Sequence, residues 1–253
     1  MAEQRIALVT GASRGIGRSA ALALGRRGAK VVATYREGAQ GAADTVRMIQ
    51  DAGGDGFAMR LDIADVESFG AFTAELIDEV RARWTAASVD VLVNNAGIGL
   101  FGLLEGVTVE SFDALVRTNF RGTFFLIQAL APHLAEGGRV INVSTSLTRH
   151  VSPGTSVYSA SKAAAEVLAR SLAVELGPRG IRVNAIAPGP SATDFNGGAM
   201  RDDQELRGTL AAQTALGRVG EPAEIGDAIA ALASEDMRWV TAERIEVSGG
   251  ALL

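Results

Sequence analysis

Tyr158 and Lys162, in the stretch Tyr-Ser-Ala-Ser-Lys, stand four residues apart, a spacing that sets both side chains on one face of an α-helix. A positive charge beside a phenol favours phenolate and lowers a tyrosine pKa from about 10 toward neutrality. Such a pair is suited to giving or taking a proton at a carbonyl or alcohol oxygen. The same spacing occurs in ordinary surface pairs, so its meaning depends on the rest of the chain. At the other end, Arg-Ile-Ala-Leu-Val-Thr, residues 5–10, is a short β-rich run that leads into Gly11-Ala-Ser-Arg-Gly15-Ile-Gly17. A segment with Ala20, Ala21, Leu22 and Leu24 follows, free of breakers until Gly25. Strand, glycine loop and helix N-terminus together make a phosphate site, because the first N–H groups of the helix have no partner within it. Gly11 permits the tight turn, Gly15 the close approach of a pyrophosphate, and Gly17 the packing of helix on strand.

Taken in order, Thr10-Gly-Ala-Ser-Arg-Gly-Ile-Gly17, Asn94-Asn-Ala-Gly97, Asn119, Tyr158-Ser-Ala-Ser-Lys162 and Pro188-Gly189 resemble the motifs of the short-chain dehydrogenase/reductase family, including its 3-oxoacyl-reductase-like members. The resemblance spans essentially the whole chain. It implies an α/β fold, a Rossmann-like doubly wound parallel seven-stranded sheet with helices on both faces, as a single domain over 1–253. It also implies the roles of particular residues. Gly11, Ser13, Arg14, Gly15, Ile16 and Gly17 would hold the cofactor phosphates, and Arg36, Asp62 and Ile63 the adenosine end. Asn94, Ala96 and Gly97 would lie against the nicotinamide riboside, with Pro188, Gly189 and Thr193 meeting the carboxamide. Tyr158 would be the acid/base. Lys162 would lower the phenol pKa and bond the ribose, and Asn119 would hold a water linking Lys162 to solvent. Asp62 reads equally well as a turn or N-cap carboxylate.

The chain departs from the family at the third catalytic position. The family has a serine thirteen residues before its tyrosine, and that count reaches Thr145 in Ser144-Thr145-Ser146. Threonine has the same hydroxyl inventory as serine, with an added methyl and a stiffer χ1. Ser146 would serve if the following loop shifted by one residue, whereas Ser144 should face the other side of a regular strand.

Charge bears on the nucleotide. A ribose with free hydroxyls suits a carboxylate at the end of the second strand, while a 2′-phosphate suits arginine. That strand ends Ala33-Thr-Tyr-Arg36, with Arg14 in the glycine loop as a second cation. NADP(H) is therefore expected over NAD(H), although Glu37 beside Arg36 opposes it. The reaction implied is interconversion of a ketone or aldehyde and an alcohol by hydride transfer, on a small-molecule substrate. The alternative is a non-catalytic NADP(H)-binding regulator on the same fold, suggested by the altered third position. Leu147, His150, Val151 and the segment around Phe195 are expected at the pocket mouth. An acyl-carrier-protein substrate is disfavoured by Glu136 and the lack of lysine in Pro132-His-Leu-Ala-Glu-Gly-Gly138, with Arg121 and Arg179 the remaining cations for an acidic partner.

The elements that must position these residues are legible as alternating runs. Strands are expected near 5–10, 30–34, 57–61, 89–93, 139–144, 181–187 and 243–247, each followed by room for a helix, as in a parallel sheet. Long helices are expected over 108–132 and 156–177 and a substrate flap over about 191–217. The 253 residues, 47% apolar and 21% charged, suit one α/β domain. With no cysteine and two histidines, disulfides and thiolate metal sites are excluded and no metal is expected. The net charge of −5 argues against a nucleic-acid partner, and no apolar run is long enough for a membrane span. Residues 1–5 carry no export signal, so a cytoplasmic protein is expected. The family's habits imply a homo-oligomer, tetramer or dimer.

Overall fold

The computed structural model describes residues 5–252. The first four residues, used above for localisation, and Leu253 at the end of the assigned domain lie outside the described residues. Seven strands form one parallel sheet: β1 (Ile6–Val9), β2 (Lys30–Tyr35), β3 (Asp55–Arg60), β4 (Val89–Asn94), β5 (Leu134–Val143), β6 (Arg182–Pro188) and β7 (Arg244–Val247), in the spatial order β3-β2-β1-β4-β5-β6-β7. Because the strand period is two, successive residues feed opposite faces. The register row Phe57, Val32, Leu8, Leu92, Val140 and Val183 crosses six strands on one face. The adjacent row Ala33, Val9, Val93 and Ile141 crosses four on the other. This two-sided burial is why the strands read as β-branched runs.

Helices cover both faces. On one lie α1 (Gly15–Arg26), α2 (Ala39–Asp51) and, later in the chain, a helix over Pro222–Leu232; on the other lie α3 (Phe69–Trp84), α4 (Val109–Val116), α5 (Thr123–Leu130) and α6 (Ser156–Leu176). The helix expected over 108–132 is interrupted. Residues Arg117–Gly122 form a π-helical turn between α4 and α5, and Thr123 Oγ1 donates to the Asn119 carbonyl there. Gly122 explains the placement: a Cβ at that position would lie 2.0 Å from the Ile63 carbonyl oxygen, so the turn rests against the backbone after β3. Short helices α7 (Ala199–Asp202) and α8 (Gln204–Ala212) form the excursion within 191–217, with the Pro222–Leu232 helix as α9. Asp203 caps α8 through the N–H groups of Glu205 and Leu206.

Between β1 and β4 the order of strands reverses direction along the chain, and their carboxyl ends part into the crevice where open α/β sheets bind ligands.

Candidate active site

A cleft of about 660 Å³ opens at that crevice. Its phosphate end is built by β1, the glycine loop and α1. Gly11 and Gly15 have φ of +65° and +55°, where only glycine is unstrained. A Cβ at Gly17 would lie 2.3 Å from the Gly11 carbonyl oxygen and 2.5 Å from Asn95 Nδ2, so its lack of a side chain lets α1 start against the loop. Asn95 straps β4 to this loop, donating from Nδ2 to the carbonyls of Thr10 and Gly11. Thr10 Oγ1 in turn accepts from the N–H groups of Asn95 and Ala96. Arg18 closes the far side through the carbonyls of Ser13 and Gly41 and the Thr45 hydroxyl. Asn95 and Arg18 escaped the sequence reading; for Asn95 its place in the Asn-Asn-Ala-Gly motif was the available signal.

Of the residues expected to hold a cofactor, the whole glycine-loop set lines the cleft, as do Arg36, Asp62 and Ile63 at one end. Ala96, Gly97, Tyr158, Lys162, Pro188, Gly189 and Thr193 line the other. Asn94 does not line it. Its side chain is buried and Nδ2 donates to Asn142 Oδ1 at 2.9 Å, because its position on β4 turns it into the sheet. Asp62 accepts from the Ala64 N–H, the turn role foreseen for it, while also facing the cleft. Arg36 pairs with Glu37 at 3.0 Å on the surface.

At the other end of the cleft α6 presents Tyr158 and Lys162, both buried. Thr145, in extended conformation just beyond β5, lines the cleft beside Tyr158; its hydroxyl accepts from the Leu147 N–H at 3.3 Å and lies near enough to the phenol to favour the phenolate slightly. Ser146 is buried outside the cleft lining, and the Ser144 hydroxyl turns to Glu166. This is the alternation of an extended segment. The Lys162 ammonium donates to the Val143 carbonyl at 2.8 Å. Asn119 lies behind Gly97: its amide exchanges hydrogen bonds with the N–H and carbonyl of Ile98 and donates to Ser161. A Cβ at Gly97 would meet both Asn119 Oδ1 and Lys162 Nζ at 3.0 Å, so the glycine keeps that floor open.

The expected acidification of the phenol by Lys162 is reversed in this form. Burial pushes Tyr158 up to about 12, only partly offset by the Thr145 hydroxyl, and burial pulls Lys162 down to about 8. Desolvation disfavours both charged forms, and the ammonium is engaged by a backbone carbonyl. The phenol is therefore neutral at pH 7, as a proton donor requires.

Two aromatic rings frame the phenol. Phe101 meets Tyr158 edge-on at 5.2 Å between centroids and Phe195 lies at 6.1 Å; both line the cleft with Leu147 and Met200. Phe195 packs over Gly99, where a Cβ would lie 2.6 Å from its ring. Phe101 was missed because a lone aromatic in a loop has no periodicity. Val151 lines a neighbouring apolar cavity with Leu103 and Leu104, and His150 lines neither. Among the described residues no cluster of metal-ligating side chains is present and no helix is long and apolar enough to cross a membrane.

A family model described as enoyl-(acyl carrier protein) reductase matches residues 11–251. An oxidoreductase of Methylorubrum extorquens is 41% identical, with 98% of each chain covered. Versicolorin reductase 1 of Aspergillus parasiticus is 39% identical over 98% of this chain and 96% of that one. The crystal structure of the angucycline C-6 ketoreductase LanV with bound NADP superposes with a TM-score of 0.93 at 42% identity, covering 98% of this chain and 95% of that chain. The chain belongs to the short-chain dehydrogenase/reductase family. It is an NAD(P)-dependent oxidoreductase.

Proposed function

We propose that this protein reduces ketones with NADPH, with Tyr158 as the proton donor and fused-ring aromatic ketones as the substrate class. The observation that carries the reading is the meeting of a buried neutral phenol, the Thr145 hydroxyl and the Lys162 ammonium at one end of a glycine-floored cleft. The residues present fit a dinucleotide: Gly11, Gly15, Gly17, Ala96 and Gly97 line the cleft with little or no side chain, and the N-terminus of α1 faces its phosphates. When bound, the reduced nicotinamide supplies a hydride to the carbonyl carbon. As charge develops on the carbonyl oxygen, Tyr158 transfers its proton to it and the Thr145 hydroxyl donates a second hydrogen bond. Lys162 then supports the proton deficit left at Tyr158, with Asn119 fixing the backbone beside it.

Arg14 and Arg36, with Tyr35 where a carboxylate would oppose a 2′-phosphate, favour NADPH. The exposed Arg36–Glu37 pair is worth little and yields to a phosphate. Phe101 and Phe195 suit flat aromatic rings, in keeping with the versicolorin and angucycline of the relatives' names. A carrier protein fits less well: Arg179 is tied to Glu136 at 2.7 Å and to the carbonyls of Ala131 and Leu134, and Arg121 lies over Phe125. The segment 191–217 serves as the flap over substrate, in a cytoplasmic homo-oligomer.

The test is NADPH or NADH consumption with 2-tetralone and with cyclohexanone. Tyr158→Phe is expected to lower turnover at least ~100-fold, and Arg36→Ala to cut the preference for NADPH about tenfold. Equal use of NADH by the wild type would overturn the cofactor preference. NADPH binding without reduction of any ketone would favour the regulator.

A further inference from the structure

Beneath residues 144–148 lies a charged network that the proton transfer does not use. Glu166, one turn beyond Lys162 on α6, has a side chain only 12% exposed. Its Oε1 accepts from Ser144 Oγ at 2.6 Å, Thr148 Oγ1 at 2.7 Å and Arg244 Nε at 2.8 Å. Arg244, the first residue of β7 and 9% exposed, turns its other edge to the loop. There Nη2 donates to the Thr145 carbonyl at 3.2 Å and to Thr148 Oγ1 at 3.0 Å, while Nη1 pairs with Glu246. Each hydroxyl has one proton to give. Thr148 gives it to Glu166, since the alternative at the Thr145 carbonyl is longer, 3.0 Å. Ser144 does likewise, its alternative at the Lys162 carbonyl being 3.4 Å. Arg244 is then the side-chain donor on the Thr145 carbonyl, at 3.2 Å against 3.4 Å for the Thr148 N–H.

The two charges thus fix the residue before Thr145, the residue three after it, and its own carbonyl. Threonine is β-branched and stiff at χ1, so fixing its backbone fixes where its hydroxyl points. A buried ion pair gives little net stability over apolar packing, and what this one supplies is geometry. We propose that Glu166 and Arg244 are positioning residues, a buried pair between α6 and β7 that aims the Thr145 hydroxyl at Tyr158 and the substrate oxygen. The proposal rests on the reading of Thr145 and Tyr158 as the groups that meet that oxygen.

The test is a double-mutant cycle on NADPH-dependent reduction of 2-tetralone. Glu166→Gln is expected to lower kcat about tenfold, with KM for both substrates changed less than about twofold. In a Thr145→Val background Glu166→Gln is expected to cost nothing further, because the group it aims is gone. Arg244→Lys keeps the charge, loses the fork to the Thr145 carbonyl and is expected to show the same pattern, which keeps the test usable if Glu166→Gln does not fold. The same loss of kcat in both backgrounds, or none in either variant, would overturn the positioning role. Wild-type turnover in Thr145→Val would instead overturn the parent reading, and this proposal with it.

Discussion

Tyr158 and Lys162 carry opposite shifts from one cause, and the pH at which each matters follows. The phenol, raised from 10.0 to about 12, holds its proton longer in the folded chain, so its contribution to stability falls as pH rises through that window. Lys162, lowered from 10.5 to about 8, is deprotonated in the folded chain while the unfolded chain still binds the proton. Its contribution to stability therefore grows as pH rises from about 8 toward 10.5. Denaturant titration at pH 8 and pH 10 is expected to reveal that gain in the wild type and its loss in Lys162→Met. With only two tyrosines in the chain, phenolate absorbance can also be read directly. The difference between wild type and Tyr158→Phe is expected to stay silent until above about pH 11 without cofactor. A cofactor-free phenol that ionises near neutrality would contradict the burial argument. Thr145 and Ser146 are separable in the same way. Thr145→Val is expected to lower kcat about 100-fold and Ser146→Ala less than about threefold, measured by NADPH consumption with 2-tetralone.

Among the elements, the turn between α4 and α5 links the two ends of the cleft. Gly122 touches the backbone of Ile63 at the adenosine end, and Asn119, three residues earlier, lies beside Lys162 and Gly97. Gly122→Ala must push the turn away from a carbonyl that cannot yield, and is expected to cost about 2–4 kcal/mol and to weaken NADPH binding, both measurable by thermal unfolding with and without cofactor. The sequence shows one helical stretch here, with Asn119 as a poor helix former and, by the family resemblance, the point of a kink. Only the packing against Ile63 calls for the wider turn. The strands were legible, since Val31-Val-Ala and Val140-Ile-Asn-Val are covered on both faces. The start of β5 at Leu134 was not, because Gly137 and Gly138 interrupt its pattern. Tyr158, Lys162 and the glycine loop, which line one cleft, stand out by spacing only together with the family resemblance. Glu166 and Arg244, 78 positions apart, become neighbours only when β7 joins β6.

Over the whole molecule, apolar side chains remain exposed along α4, the π-helical turn, α5 and α6, among them Phe112, Phe120, Phe125, Val167 and Val174. Exposed apolar side chains on neighbouring elements suit contact with a second copy of the chain. Light scattering is expected to give a mass above that of one chain, and Val174→Glu to shift it toward the monomer; a monomeric wild type would refute that expectation. The cleft at the carboxyl ends of the strands gathers the glycine loop, Tyr158 and Lys162, and hydride transfer there is the central claim. The most direct measurement is single-turnover reduction of 2-tetralone with NADPH deuterated at the transferable position, following the label into the product by mass spectrometry. One deuterium on the former carbonyl carbon is expected, formed by the wild type and suppressed in Tyr158→Phe. Product without deuterium, or equal formation by Tyr158→Phe, would contradict it.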